Sequence, residues 1–140
     1  MMAVKVGKAA TQRGLFSLLL MVLAATAQAA CNFRAPLTND VPLGAISPIQ
    51  SGNVVGTLTL RFSCTVGDSP VFSVIGSNDT GPGLHRMRNL NRPTEYLPYR
   101  VVTSLTNPTR LLMTITVTQG DYQNAWAGPY EDTLYVTVMP

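Results

Sequence analysis

Residues 128–138 read Gly-Pro-Tyr-Glu-Asp-Thr-Leu-Tyr-Val-Thr-Val, and this stretch decides the fold class. A Gly-Pro turn pair is followed by residues that alternate between apolar and polar. Such alternation predicts a half-buried β-strand. Its inward positions are Leu134, Val136 and Val138. Only two residues follow, so we expect little chain to cover the edge of this strand, and an uncovered edge pairs readily with another chain.

Several other stretches alternate in the same way, and Gly, Pro, Asn and Asp turns separate them. The clearest is 56–64, and the others are 71–75, 97–101 and 111–118. Pro98 indicates an edge in its strand. After the leader no stretch of ten residues keeps a helical period, although 121–126 could form one helical turn. The sequence therefore predicts an all-β sandwich or barrel.

The first 29 residues have the composition of a signal peptide. Lys5, Lys8 and Arg13 precede an apolar run at 15–25, and Ala-Gln-Ala at 27–29 is a small-x-small cleavage site. We therefore predict a signal peptide over 1–29 and one domain over 30–140. A membrane anchor is the alternative, but the run is far shorter than the roughly 20 apolar residues of a membrane span. A lipoprotein is another, but Gln28 stands where that signal has an aliphatic residue.

Removal of the leader changes the charge of the chain. The whole sequence has ten Lys and Arg residues and seven acids, and three of the ten cations lie in the leader. The remaining domain has seven Arg against seven acids and no net charge. Nucleic-acid binding needs a clustered positive surplus, so we expect no nucleic-acid partner. A net charge of zero favours association with other proteins.

The two cysteines, Cys31 and Cys64, lie in a chain predicted to be exported. Export implies an oxidising compartment, where one disulfide is the expected state. The loop of about 34 residues would stabilise the fold by roughly 3–4 kcal/mol in the chain-entropy account. A redox or nucleophilic cysteine is the alternative, but the sequence has no Cys-x-x-Cys.

The sequence has few residues of the types that commonly act in catalysis. His85 is the only histidine, and its irregular surroundings predict an exposed loop residue. The acids are scattered, and the adjacent Glu131 and Asp132 would point to opposite faces of a strand, which suits acid/base catalysis poorly. No zinc, phosphate-loop or nucleophile-elbow pattern is present. We therefore expect no catalytic residue, no cofactor, no metal site and no small-molecule substrate.

Two clusters permit a functional and a plain interpretation. Arg86, Arg88 and Arg92 could bind an anionic surface, but a solvated loop that pairs with Glu95 is the favoured interpretation. Trp126 with two nearby tyrosines could form an exposed contact patch, but aromatic residues of this kind more often close the end of a sandwich core.

Certain motifs point to a family. They are Cys31 at the predicted mature start, Leu-Arg-Phe-Ser-Cys-Thr at 60–65, Arg-Met at 86–87, Leu-Pro-Tyr at 97–99 and the ending at 121–138. The ending contains Gly-x-Tyr-x-Asp-Thr before an alternating strand. With these motifs the mature chain resembles the spore coat protein U domain, the fold used by subunits of archaic chaperone–usher pili.

The resemblance implies an immunoglobulin-like β-sandwich that lacks its final strand and has a Cys31–Cys64 disulfide. It implies a donor-strand groove beside Leu134, Val136 and Val138. A periplasmic chaperone would fill the groove first, and a neighbouring subunit's N-terminal extension would replace it, which is β-strand addition. The implied partners are that chaperone, an outer-membrane usher and other pilus subunits, and the implied location is the cell surface, reached through the periplasm.

The chain departs from the family pattern in two places. The stretch 102–110 is short, so one hairpin would be trimmed. Only Ala30 precedes Cys31 in the predicted mature chain, where pilins carry a donor segment. A subunit that accepts a strand but gives none belongs at the tip of a fibre. The alternatives are a self-sufficient secreted coat or matrix protein and a small secreted enzyme.

Overall fold

The computed structural model describes residues 2–6, 30–34, 38–43, 46, 48–65 and 69–140. The strands are β1 (Met2–Val6), β2 (Cys31–Phe33), β3 (Thr38–Val41), β4 (Val54–Cys64), β5 (Val71–Gly76), β6 (His85–Asn89), β7 (Tyr96–Asn107), β8 (Arg110–Val117), β9 (Tyr130–Glu131) and β10 (Thr133–Met139). The helix α1 covers Gln119–Tyr122. The predicted all-β class is confirmed.

The strands form two sheets. One sheet has six strands in the order β2-β4-β8-β7-β6-β9, and the other has four in the order β3-β1-β10-β5. Among the described pairs, β1 with β10 is parallel and the others are antiparallel. The two sheets make a sandwich-like fold with the core between their inner faces.

The core comes from the inward positions of the alternating strands. The apolar residues with no exposed surface are Phe62, Leu97, Met113, Ile115, Val117, Leu134 and Val136. Each of these stabilises the fold by roughly 1.5–3 kcal/mol through removal of apolar surface from water. The inward faces predicted for 56–64, 111–118 and 133–138 are therefore confirmed.

The disulfide joins β2 to β4. Cys31 and Cys64 are register partners with their Cα atoms 4.0 Å apart, and their sulfur atoms are bonded. Close by, the ring of Phe62 lies 6.4 Å from that of Phe33 and 5.1 Å from that of Phe72. Phe72 belongs to β5 in the other sheet, so this aromatic cluster packs the two sheets together near the disulfide.

The strand β6 lies in a stretch where the sequence shows no clear period. His85, Met87 and Asn89 are all buried, which is the alternation of a strand. Two of these three inward residues are polar, so a hydrophobicity pattern does not detect them. The inner surface of this strand is partly a polar one.

Two local predictions can be compared with the structure. The edge indicated by Pro98 is present locally, because β7 pairs with β6 alone from Tyr96 to Tyr99 and with β8 only from Arg100 onward. The predicted helical turn is present as α1, two residues earlier than expected. In the described ranges of the chain, no helix has the length and hydropathy needed to cross a membrane.

Candidate functional site

The strand position between β3 and β10, which we name the β3–β10 slot, is filled from the other end of the chain. Strand β1 runs parallel to β10 in the register Ala3↔Thr133 to Val6↔Val136. On its other side β1 pairs antiparallel with β3, from Met2↔Val41 to Lys5↔Thr38. A five-residue segment is therefore the only strand that joins β3 to β10 in the described structure.

Strand β1 belongs to the segment that the sequence assigns to the signal peptide. Residues 7–29, which connect β1 to Ala30, lie outside the described residues, and so does the predicted cleavage site. The signal peptide and the domain boundary at residue 30 stay predictions. If the leader is removed, the edge of β10 that faces β3 loses its partner strand, and its backbone N–H and C=O groups become available for pairing.

The predicted groove residues all lie on the inner face of β10. Leu134 and Val136 are fully buried, and Val138 is 7% exposed. Leu134 and Val136 belong to the core cluster and are the register partners of Val4 and Val6 in the β3–β10 slot. Tyr135, between them, is 43% exposed on the outer face. That these residues line a site for an incoming strand stays a prediction.

A buried polar cluster holds the start of β10. Asp132 is 3% exposed and accepts hydrogen bonds from four donors. Its Oδ2 accepts from the Tyr99 hydroxyl at 2.5 Å. Its Oδ1 accepts from the Ser77 hydroxyl at 2.7 Å, the Asn78 amide at 2.8 Å and its neighbour's backbone N–H, that of Thr133, at 2.8 Å. We call these five residues the Asp132 cluster.

Within the Asp132 cluster, the pKa of the Tyr99 phenol is strongly shifted. Burial of Tyr99, together with its hydrogen bond to the Asp132 carboxylate, raises the pKa of the phenol well above its ordinary value. The phenol therefore remains a neutral donor at any physiological pH. The cluster works as a fixed structural joint between β7, the turn after β5 and the start of β10.

His85 lies next to this cluster, and the prediction that it is an exposed loop residue is wrong. It is 6% exposed in β6, and its Nδ1 lies 3.0 Å from both carboxylate oxygens of Asp79. Its ring stacks on that of Tyr99 at 5.4 Å. The Asp79 carboxylate also accepts the backbone N–H of Gly76 at 2.6 Å. The pair thus ties β6 to the end of β5.

The Asp79–His85 pair resembles the base and orienting acid of a hydrolase, but its neighbours do not complete that arrangement. The hydroxyl of Ser77 donates to Asp132 and is not engaged by the imidazole. Both cysteines are in the disulfide. In the part of the chain that the structure describes, no three His, Cys, Asp or Glu side chains converge as metal ligands.

The arginines do not pair as the sequence suggested. Arg86 donates through Nε to the backbone oxygen of Asn78 at 2.6 Å, and its guanidinium lies 3.9 Å from the centre of the Tyr96 ring. Arg92 covers the Trp126 ring at 3.7 Å. These contacts, rather than pairing with Glu95, orient the two arginines. Of the three aromatic residues, Trp126 is 51% exposed and forms part of the surface, whereas the nearby Tyr122 and Tyr130 are buried in the core, as expected.

A cleft of about 390 Å³ opens at one end of the β3–β10 slot. Asp40 of β3 and Thr133 of β10, which are both register partners of Ala3, contribute to its wall. The remaining lining residues are Ser77, Asn78, Arg88, Leu90, Glu131 and Asp132.

Comparison with protein-family models finds no match to this chain, and comparison with curated protein sequences finds none either. The function is therefore argued from the site itself. The sequence signals did not identify the Asp132 cluster, because its members lie up to 56 residues apart.

Proposed function

We propose that this chain is a non-enzymatic structural or adhesive subunit of a bacterial surface pilus, completed by a strand from another protein. One observation carries the proposal. The second neighbour of β10 is a short segment from the predicted leader, at the opposite end of the chain. A domain whose last strand depends on such a segment needs a replacement once the leader is gone.

The edges of β3 and β10 both face the slot. Strand β3 has four residues and pairs with β1 alone among the described strands. Without an occupant, β3 and one edge of β10 would each present unpaired backbone groups beside the buried Leu134 and Val136. Open edges next to apolar core recruit an extended segment by main-chain hydrogen bonding, which is the chemistry of strand addition.

The proposed partners follow from the resemblance to the spore coat protein U domain. A periplasmic chaperone occupies the slot first, an outer-membrane usher receives the complex, and another subunit supplies the lasting strand. From Ala30 onward the chain is already in the sheet, since Ala30 exchanges hydrogen bonds with Thr65 and the next residue is in the disulfide. A mature chain that starts there keeps no segment to donate, which supports a position at the fibre tip.

The test is export of the 140-residue chain to the periplasm of a Gram-negative host, with and without a cognate periplasmic pilus chaperone. Size-exclusion chromatography of the processed product reports its assembly state. Recovery only as a one-to-one complex with the chaperone is the expected result. The matched variants Val138→Asp, on the buried inner face of β10, and Met139→Asp, on its exposed face, should reduce and preserve that complex respectively.

A stable disulfide-bonded monomer without the chaperone would overturn the proposal. It would favour the alternative of a self-sufficient secreted coat or matrix protein. The structure contains one observation in favour of that alternative, since the slot accepts a segment of the same chain.

A further inference from the structure

We propose that Met2–Val6 is an intramolecular plug of the β3–β10 slot, so that the unprocessed chain is closed and loss of the leader opens it. The inference rests on the proposed function, because it concerns regulation of the same strand-accepting site. It assigns to the first residues of the leader a role beyond export.

The first step is the pairing on both sides of the plug. Met2–Val6 has four register partners on β10 and four on β3. A strand paired on both sides leaves neither neighbouring edge open along its length. The plug therefore pairs the edges of β3 and β10 as a strand from a partner protein would. Because both strands need the same position, only one of them can occupy the slot at a time.

The second step is the match between the two sequences across the parallel pair. Val4 and Val6 occupy the register positions of Leu134 and Val136, which are fully buried. Lys5 occupies the register position of Tyr135, which is 43% exposed. Residues paired across neighbouring strands belong to the same face of a sheet. The plug thus has valines at the register positions of two buried residues of β10 and its cation at the register position of an exposed one.

The third step is the covalent connection. Residues 7–29 tether the plug to Ala30, so that binding is intramolecular as long as this segment is intact. Covalent linkage of two binding segments can give effective concentrations on the order of millimolar. Once the tether is cut, a five-residue strand has to stay bound by its own affinity, and such short strands pair weakly. Cleavage therefore favours replacement of the plug by a longer strand.

The plug acts wherever the leader and the folded domain share one compartment. Under that condition an unprocessed chain cannot accept a partner strand in the slot, because the edges of β3 and β10 that face the slot are paired. Removal of the leader then couples maturation to assembly, because one cut both frees the domain and empties the slot.

The test uses the full chain, made in an oxidising cell-free system with a mild detergent to keep the apolar run at 15–25 in solution. Hydrogen exchange measures the β10 amides. A fluorescent peptide with the sequence of residues 1–8 measures whether the slot is open. We compare the native chain with Val4→Asp, at an inward register position, and with Lys5→Asp, at an outward one.

The native chain and Lys5→Asp should protect the β10 amides that face the slot and should not capture the peptide. Val4→Asp should exchange those amides at least tenfold faster, while β8 keeps its protection. A second version carries a protease site within 7–29, and cutting it should allow capture of the peptide. Intact mass under non-reducing conditions establishes that Cys31–Cys64 is formed in every sample.

Equal β10 exchange in the native chain and Val4→Asp would overturn the plug, and so would a cut chain whose β10 amides stay as protected as those of the uncut chain. Neither result depends on the chaperone experiment, which uses the processed domain. A chain without a plug could still be recovered with the chaperone, so the two proposals fail separately.

Discussion

Tyr99 donates its phenolic proton to Oδ2 of Asp132 across 2.5 Å, and both side chains are 3% exposed. Tyr99 lies in β7 of the six-stranded sheet, and Asp132 immediately precedes β10 of the four-stranded one. The bond therefore joins the two sheets at the point where the strand beside the slot begins. It connects the buried polar cluster to the proposed acceptor site.

Replacement of Asp132 by Ala should destabilise the fold strongly. Four donors would lose their acceptor, and each hydrogen bond to a buried charged group contributes about 1.5–3 kcal/mol. Because the losses are not additive, we expect a decrease in the free energy of unfolding of roughly 3–5 kcal/mol. Urea denaturation of the full chain measures it. The neighbouring exposed Glu131→Ala should change stability by less than about 0.5 kcal/mol, and an equal loss in both variants would contradict the role given to the cluster.

Tyr99 should make the fold sensitive to alkaline pH. Its pKa is raised in the folded state, so the stability it contributes is complete below pH 10 and declines as the unfolded chain loses this proton. The decline should be about 1.4 kcal/mol for each pH unit above 10. Urea denaturation at pH 9 and pH 11 should show a smaller decline in Tyr99→Phe. The control Tyr135→Phe, at an exposed position, should retain the native decline, and identical slopes in all three proteins would refute the prediction.

Gly76 is required by the two carboxylates that surround it. A Cβ at this position would lie 2.6 Å from Oδ2 of Asp132 and closer still to Oδ1 of Asp79. Since both carboxylates are held by several hydrogen bonds, Gly76→Ala should destabilise the fold by about 1–3 kcal/mol. Gly120→Ala, in α1 with open space around it, should be neutral or stabilise by up to about 1 kcal/mol. Thermal unfolding of the two variants would show the opposite signs, and similar values would be inconsistent with the crowding at Gly76.

Leu134 should be the most sensitive apolar position of β10. Truncation of a fully buried leucine leaves a cavity and usually destabilises a protein by about 2–5 kcal/mol. Leu134→Ala should therefore lower the denaturation midpoint clearly. Met139→Ala on the exposed side of the same strand should have an effect below about 1 kcal/mol. A small effect of the leucine substitution would mean that the inner face of β10 is not packed in the core.

The disulfide should contribute more to the free energy of unfolding than any single contact near it. Its partners are 33 residues apart, and a loop of this length contributes roughly 3–4 kcal/mol in the chain-entropy account. The double variant Cys31→Ala/Cys64→Ala should lose about that much in urea. Reduction of the native protein should give the same loss, and a reduced protein as stable as the oxidised one would be evidence against this estimate.

Much of the fold could be predicted from alternation alone. The strands that contain Leu60, Met113 and Leu134 show a period of two with apolar inward positions, and burial of a regular apolar face is a local property of sequence. Strand β6 could not be predicted in this way, because His85 and Asn89 occupy its inward positions. Their burial depends on partners such as Asp79, which only the folded chain brings near.

The sequence predicted some features of the candidate site but not others. Leu134, Val136 and Val138 were predicted from the pattern of the last strand, and the structure buries all three. The Asp132 cluster was not predicted, since Tyr99 lies 33 residues from Asp132 in sequence. The presence of β1 between β3 and β10 was not predicted either, because five residues in a leader are too short for a periodic signal.

The faces of the regularly alternating strands and the Cys31–Cys64 pair follow from the sequence, because they depend on residue type, on a period of two and on the oxidising compartment implied by the predicted leader. The segment that fills the β3–β10 slot and the polar groups buried beside it are set by tertiary contacts. Strand pairing uses backbone groups that every residue except proline carries in full. The choice of partner therefore depends on which edges the folded chain places side by side.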